Sequence, residues 1–239
     1  MSATDAHHDV IVIGGGPGGY AAALYGAGIG LDIGIVENNI IGGTCLNVGC
    51  IPAKELLETA HVFRTVRHAA DFGVNASAPT IDWGVTLQRK QSIIDQLVKG
   101  VSGLLKQRSV TVYDGTGSLG TGRMVTVTGS DDAVISMQGK AVILAAGSVT
   151  RTIPGFEIDG RIILTSDEVL SMPKLPSSAV VIGGGAGGLS AARSGLRAGR
   201  KTVLISDSPL GGDCTFTGCV PSKALIAAAH DGADLSTAM

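Results

Sequence analysis

The chain opens in the same way twice. Residues 11–57 line up without a gap, at a constant offset of 169, on residues 180–226. Gly14, Gly16 and Gly19 fall on Gly183, Gly185 and Gly188. Further on, Gly42, Gly43, Cys45, Gly49, Cys50, Pro52 and Lys54 fall on Gly211, Gly212, Cys214, Gly218, Cys219, Pro221 and Lys223. A solenoid repeats every 20 to 50 residues or so, and this period is much longer. One kind of domain therefore begins twice. In each copy a continuous apolar run ends in Gly-x-Gly-x-x-Gly and passes into a small-residue helix, as a buried parallel strand does.

Physical chemistry gives each glycine a task. The first makes a tight turn, the second lets backbone approach a pyrophosphate, and the third lets helix and strand pack closely. The helix start offers free amides and a positive dipole end. Glu37, at the end of the next apolar run LDIGIVE, is placed to accept hydrogen bonds from a ribose. Strand, fingerprint, helix, strand and acid in that order predict a dinucleotide site at Gly14, Gly16, Gly19 and Glu37.

Between the two openings, periodicity predicts helices over Ile51 to Ala70 and Trp83 to Gln107. From Val110 the period changes to two. VTVY, MVTVT and AVIS, separated by DGTGSLGTG and GSDD, predict a small antiparallel sheet. KAVILAAGS returns to a buried strand, and SMPKLPSS is a proline-bearing linker. The fold class is α/β: a Rossmann-like domain over 1–178 with a β insertion at about 110–138, then a truncated Rossmann-like βαβ unit over 179–239.

The cysteines number four, in two matched pairs, Cys45/Cys50 and Cys214/Cys219. In an intracellular chain such pairs read as redox or metal sites before structural staples. An all-thiolate zinc site would need both pairs to meet; no metal is expected. A dithiol at a helix start has its thiolate favoured by the dipole, which suits disulfide exchange. A dinucleotide-bound flavin nearby could take or deliver the electron pair.

Composition narrows the partners. Net charge is −2 and aromatics make up 3%, so neither an electrostatic case for nucleic acid or anionic membrane nor a base-stacking platform is present. Val10 to Leu31 carries no charged residue and is long enough to span a bilayer, but its glycines and proline break a spanning helix. The start has no lysine or arginine before the apolar run, unlike a secretory signal. A cytoplasmic location is expected.

From Asp9 to about Gly185 the chain resembles the flavin-dependent pyridine nucleotide-disulfide oxidoreductases, closest to their dihydrolipoamide dehydrogenase branch. The resemblance is carried by VIGGGPGGY, Glu37, GGTCLNVGCIPAK, GTGSL at 115–119, LAAGS at 144–148 and TSDEVLSMPKLPSSAVVIGGG. It implies that Gly14, Gly16, Gly19 and Glu37 hold the ADP part of FAD. Gly43 and Thr44 would line its pyrophosphate and isoalloxazine side, and Lys54 would sit near the ring. Cys45 would be the thiol exchanging with substrate and Cys50 the one facing the flavin. Gly117, Gly147 and Ser148 fall where the family closes over FAD, with LAAGS in place of the usual LATGS. Gly183, Gly185 and Gly188 occupy the place of the family's NAD fingerprint.

Beyond Gly188 the chain departs from the family. Ser206 aligns with Glu37, and LGGDCTFTGCVPSKALI resembles a second flavin-domain opening, with Cys214/Cys219 as a second redox pair. The resemblance implies FAD and NAD as cofactors, a dithiol or disulfide such as lipoamide as substrate, and a homodimer. The family's dimerisation domain, with its catalytic His and Glu, has no counterpart in this sequence. His7, His8, His61, His68 and His230 have no matching context, and His61 and His68 are read as a solvated face. The expected function is an FAD-dependent disulfide oxidoreductase. Two alternatives stay open: a truncated or fused non-catalytic fragment, and a flavin-free dithiol redox protein.

Overall fold

The computed structural model of the chain describes residues 6–152, 154–174, 176, 178–197, 199, 201–206, 209–217 and 219–230. It divides into two compact units, Met1–Lys174 and Leu175–Met239.

The first unit is built on one six-stranded sheet of order β3-β2-β1-β6-β5-β4. β1 (Ala6–Ile13) lies at its centre, parallel to β2 (Ile33–Glu37) on one side and to β6 (Val134–Leu144) on the other. β3 (Thr111–Asp114) continues the parallel set beyond β2. β5 (Met124–Thr128) and β4 (Thr116–Leu119) complete the order as antiparallel neighbours. This is the mixed α/β sheet of a Rossmann-like fold.

Packing follows residue size. α1 (Pro17–Gly28) buries Gly19, Ala23 and Gly26, one stripe of small residues that lets the helix lie close to the strands. A Cβ at Gly26 would stand 2.9 Å from Ile33 Cδ1. α4 (Trp83–Gln107) is capped by Asp82, whose side chain accepts from the Val85 amide. Val12, Ala23, Ile33, Ile35, Leu105 and Val110 form one core cluster. Ile11, Ile13, Val36, Val125, Val127 and Met137 form the other, where β4 and β5 lie over β1 and β2. Each large aliphatic side chain among them contributes about 1.5–3 kcal/mol by leaving water.

Three details differ from the periodicity reading. VTVY contributes a parallel strand beside β2, not a member of the antiparallel sheet. GTGSL, read as part of a separator, contains β4. AVIS and KAVIL belong to one continuous strand. Alternation identifies a strand, but its partner and direction are set by which edge remains open. Gly139, which breaks the apolar run, lets β6 approach Ile11, since a Cβ there would lie 3.2 Å from Ile11 Cδ1.

The helices over the sheet include α2 (Gly43–Asn47) and α3 (Cys50–Arg67). α3 and α4 are tied by the Arg89–Glu55 ion pair. α4 also holds the end of the unit, as Lys90 Nζ donates to Leu170 O (2.7 Å) and Trp83 Nε1 to Met172 O (2.9 Å). Leu170 directly succeeds the short α5 (Ser166–Val169), which starts with a Thr165/Glu168 capping box. His61 and His68 are exposed. Among the described residues no helix is long and apolar enough to cross a membrane; the apolar run from Val10 is divided between β1 and α1.

The second unit contains α6 (Ala186–Arg197), α7 (Gly212–Phe216) and α8 (Cys219–His230). Its apolar runs meet through two isolated parallel bridges, Ile182 to Ile205 and Gly185 to Gly211.

Candidate functional site

The first fingerprint folds into a turn that only glycine can make. Gly14 has φ +107°, and its amide donates to Val36 O (2.8 Å) as the chain leaves β1. A Cβ on Gly19 would collide with Gly14 O, so the third glycine is what lets α1 start against the strand end. Gly16 caps α1 without a side-chain partner, Pro17 is at the first helical position, and no acid lies in the first turn. The helix start therefore leaves amides and positive dipole end unneutralised.

The loop that leads to the dithiol forms the facing wall. Gly42 N donates to Gly15 O (2.8 Å), and Gly43, at φ +55°, would place a Cβ 2.7 Å from Gly16 Cα. Any side chain at position 43 would fill this cradle. Glu37, at the end of β2, is held by two amides: Gly15 N donates to Oε2 (2.7 Å) and Asn39 N to Oε1 (2.9 Å). It borders a polar hollow of about 270 Å³ with Asp114, Gly115 and Thr128.

Cys45 lies within α2, and Cys50 is the first residue of α3. The dithiol thus straddles two closely spaced helix starts instead of sitting on one. Gly49 makes this possible, since a Cβ there would stand 2.8 Å from Thr44 O and 3.3 Å from Cys45 Cα. Pro52 is tolerated in the first turn of α3, where its missing N–H costs no helical bond. Cys45 is half-buried and Cys50 exposed. Burial pushes the Cys45 thiol above its ordinary value of 9.0, and its hydrogen bond to Cys50 and the nearby Cys50 charge act the same way. Lys54, exposed one turn beyond Cys50, pulls it down more weakly. The dipole argument, which favours a lowered thiol, is outweighed at Cys45 by burial.

Of the other residues singled out from the sequence, Thr44 is exposed. Ala145 N donates to Ile13 O (2.8 Å), which brings the LAAGS segment alongside Gly14. Gly147 and Ser148 lie just beyond, both exposed. Gly117 stands elsewhere, in β4 over the sheet, where a Cβ would meet Ile13 and Val36 at 3.1 and 3.2 Å.

The second fingerprint repeats the backbone of the first. Gly183 has φ +129° and its amide donates to Ile205 O (3.0 Å); Gly211 N donates to Gly184 O (2.8 Å). A Cβ on Gly188 would collide with Gly183 O, and one on Gly212 would lie 2.9 Å from Gly185 Cα. Ser206 stands against Gly184 as Glu37 stands against Gly15. Cys214 lies in α7, and Cys219 begins α8; the Cys219 side chain lies outside the described residues. No group of three or more metal-ligating side chains occurs among the described residues.

Two buried polar residues were not singled out from the sequence for burial. Lys90 is buried in α4, and burial pulls its ammonium below the ordinary lysine value. His8 is buried in β1 beside the exposed His7. Neither interrupts its element's pattern in a way that the sequence alone would reveal.

Comparison with known proteins places this geometry. The model of the family described as pyridine nucleotide-disulphide oxidoreductase matches residues 8–186 and again 177–238. The chain is 42% identical over 206 residues to a dihydrolipoyl dehydrogenase of Bacillus subtilis, covering 83% of this chain and 44% of that protein. It is 42% identical over 204 residues to that of Chlorobaculum tepidum, covering 85% and 44%. The chain thus spans less than half the length of these relatives. The crystal structure of LpdA from Mycobacterium tuberculosis matches with a TM-score of 0.74 over 93% of this chain and 50% of that one, at 21% identity, a likeness of fold.

Proposed function

The chain belongs to the pyridine nucleotide-disulphide oxidoreductase family, and from that premise we propose that its first unit is the flavin-binding, dithiol-bearing part of a dihydrolipoyl dehydrogenase-like enzyme. The electron pair would move among a substrate dithiol or disulfide such as lipoamide, Cys45/Cys50, FAD and NAD. The observation that carries the reading is the approach of Gly43 to Gly16, which makes the loop opening the dithiol segment one wall of the dinucleotide turn.

The residues fit the cofactor. Gly14, Gly16 and Gly19 leave amides clear of side chains for a pyrophosphate, Gly43 keeps the cradle open, and Glu37, oriented by two amides, would accept from ribose hydroxyls. Thr44, Lys54, Gly147 and Ser148 are exposed near this loop system and would line the remainder. Gly117 would act by packing β4 over β1 and β2. When bound, flavin supplies the two-electron acceptor that returns the dithiol to the disulfide. Gly183, Gly185 and Gly188 would meet NAD, with Ser206 in place of the acid.

Exchange itself needs only the chain's sulfurs and the substrate's. A substrate thiolate attacks Cys45 Sγ of the Cys45–Cys50 disulfide, the S–S bond breaks and Cys50 leaves as thiolate. The second substrate thiolate then attacks the substrate sulfur bonded to Cys45, and Cys45 leaves. Substrate departs as disulfide, and its electron pair stays with the reduced Cys45/Cys50. The raised Cys45 thiol makes this sulfur readily protonated once reduced. The exposure of Val180 and Val203 in the second unit favours a second reading for that unit, a nucleotide-site opening without turnover of its own, with Cys214/Cys219 as a non-exchanging pair.

The test is an absorption spectrum after incubation with FAD and desalting, with a subsequent anaerobic dithionite titration. Retained visible flavin bands are expected, with a long-wavelength charge-transfer shoulder on partial reduction that is lost in Cys50→Ser. A colourless protein overturns the flavin reading.

A further inference from the structure

One polar cluster in the first unit has no part in the exchange chemistry. At the start of β1, Asp9 N and Val10 N both donate to Asp32 O (2.9 and 3.2 Å). Two donors on one acceptor mark a bulge, and a bulge re-aims the side chains beside it. His8 is turned inward and is 8% exposed. Its Nε2 shares a 2.8 Å hydrogen bond with the Tyr113 hydroxyl, and the two rings meet edge to face, 5.7 Å apart.

β2 lies between the strands that carry these two residues, so their hydrogen bond crosses over it. The crossing point is Gly34. A Cβ there would stand 2.7 Å from His8 Cδ2 and 3.2 Å from Tyr113 Cε2, and glycine at this position makes the bond possible. Asp32 braces the imidazole from the other side, its Oδ1 lying 3.1 Å from His8 Nδ1. Burial, with the Asp32 charge, pushes the Tyr113 phenol up, which keeps its O–H intact at neutral pH. The next residues in the chain are Asp114 and Gly115, which line the hollow beside Glu37. Gly115 N donates to Glu37 O (2.9 Å).

We propose that His8 and Tyr113 are positioning residues for the adenosine end of the dinucleotide, their hydrogen bond across Gly34 holding the end of β3 so that Asp114 and Gly115 stand beside Glu37. The inference rests on the assignment of Glu37 to a dinucleotide ribose. Neither residue touches the ligand; both act through the strand that leads to it.

The experiment is titration of the full chain with ADP, which carries the adenosine end alone, in wild type, Tyr113→Phe and Gly34→Ala. Leu105→Ala, in the other core cluster, serves as a control that lowers stability only. Tyr113→Phe is expected to weaken ADP about 3- to 10-fold, the size of one buried hydrogen bond, with Gly34→Ala weakened at least as much and Leu105→Ala unchanged while folded. If Gly34→Ala fails to fold, Tyr113→Phe decides. Tyr113→Phe binding ADP as tightly as wild type, with only its Tm lowered, overturns the inference alone. A wild-type chain that binds neither ADP nor FAD overturns the flavin reading and this inference with it.

Discussion

Residues 11–57 and 180–226 share a glycine and cysteine pattern and part ways in their surroundings. The turn after the first apolar run closes with Gly14 N on Val36 O at 2.8 Å in one and Gly183 N on Ile205 O at 3.0 Å in the other. The left-handed glycines recur, Gly42 and Gly43 matching Gly211 and Gly212. Burial does not recur. Ile11 and Val36 are 0% and 1% exposed, whereas Val180 and Ile205, their counterparts, are 79% and 53% exposed. Short-range geometry comes from the residues that make the turn. A sheet and its core need neighbours, and among the described residues only the first copy has strands such as β3 and β6 beside it and a long helix, α4, against it. Glycine spacing is thus enough to shape a cradle but not to stabilise the domain around it.

The sharpest way to break this comparison is to truncate the same position in both copies. Ile11→Ala is expected to cost roughly 4 kcal/mol, in the range for a fully buried aliphatic, and Val180→Ala less than about 0.5 kcal/mol, both read from urea unfolding by circular dichroism. Equal losses would mean that the second copy has a core of its own. A smaller effect is expected at the turns. Gly19→Ala drives a Cβ into Gly14 O and should cost about 3 kcal/mol, while Gly188→Ala, with the same local collision, should leave the main transition within about 0.5 kcal/mol.

The smallest effect is that of pH on the first dithiol. The Cys45 thiol is held above 9.0 when folded, so above that value the unfolded chain releases this proton first. Its contribution to stability is then complete below pH 9.0 and lost as pH rises through the folded value. Stability should fall more on the alkaline side for wild type than for Cys45→Ser, and iodoacetamide should alkylate Cys45 with a midpoint above 9.0. A midpoint below it would mean that the helix start, not burial, governs this sulfur.

Much of the site was legible because it is local. The Gly14, Gly16 and Gly19 spacing specifies a turn that a Cβ would obstruct, and the apolar stripe with Asp82 before it marks α4 to the residue. The dithiol was legible as a pair, but the break between α2 and α3 was not, because it turns on the space at Gly49 between Thr44 and Cys45. β4 was missed since GTGSL looks like a turn, and its glycine serves packing over Ile13 and Val36. His8 was passed over because a bulge reverses its alternation, and only the pairing with Asp32 O creates that bulge.

Residue identity alone therefore settled the strand-to-helix turns, the duplicated openings and the long helix, all governed by contacts within a few residues. Tertiary assembly chose the parallel place of β3, the burial of Lys90 and His8, and the contrast between Ile11 and Val180. These depend on partners distant in the chain, whose arrival decides whether an apolar strand loses its water and whether a polar group finds a bond.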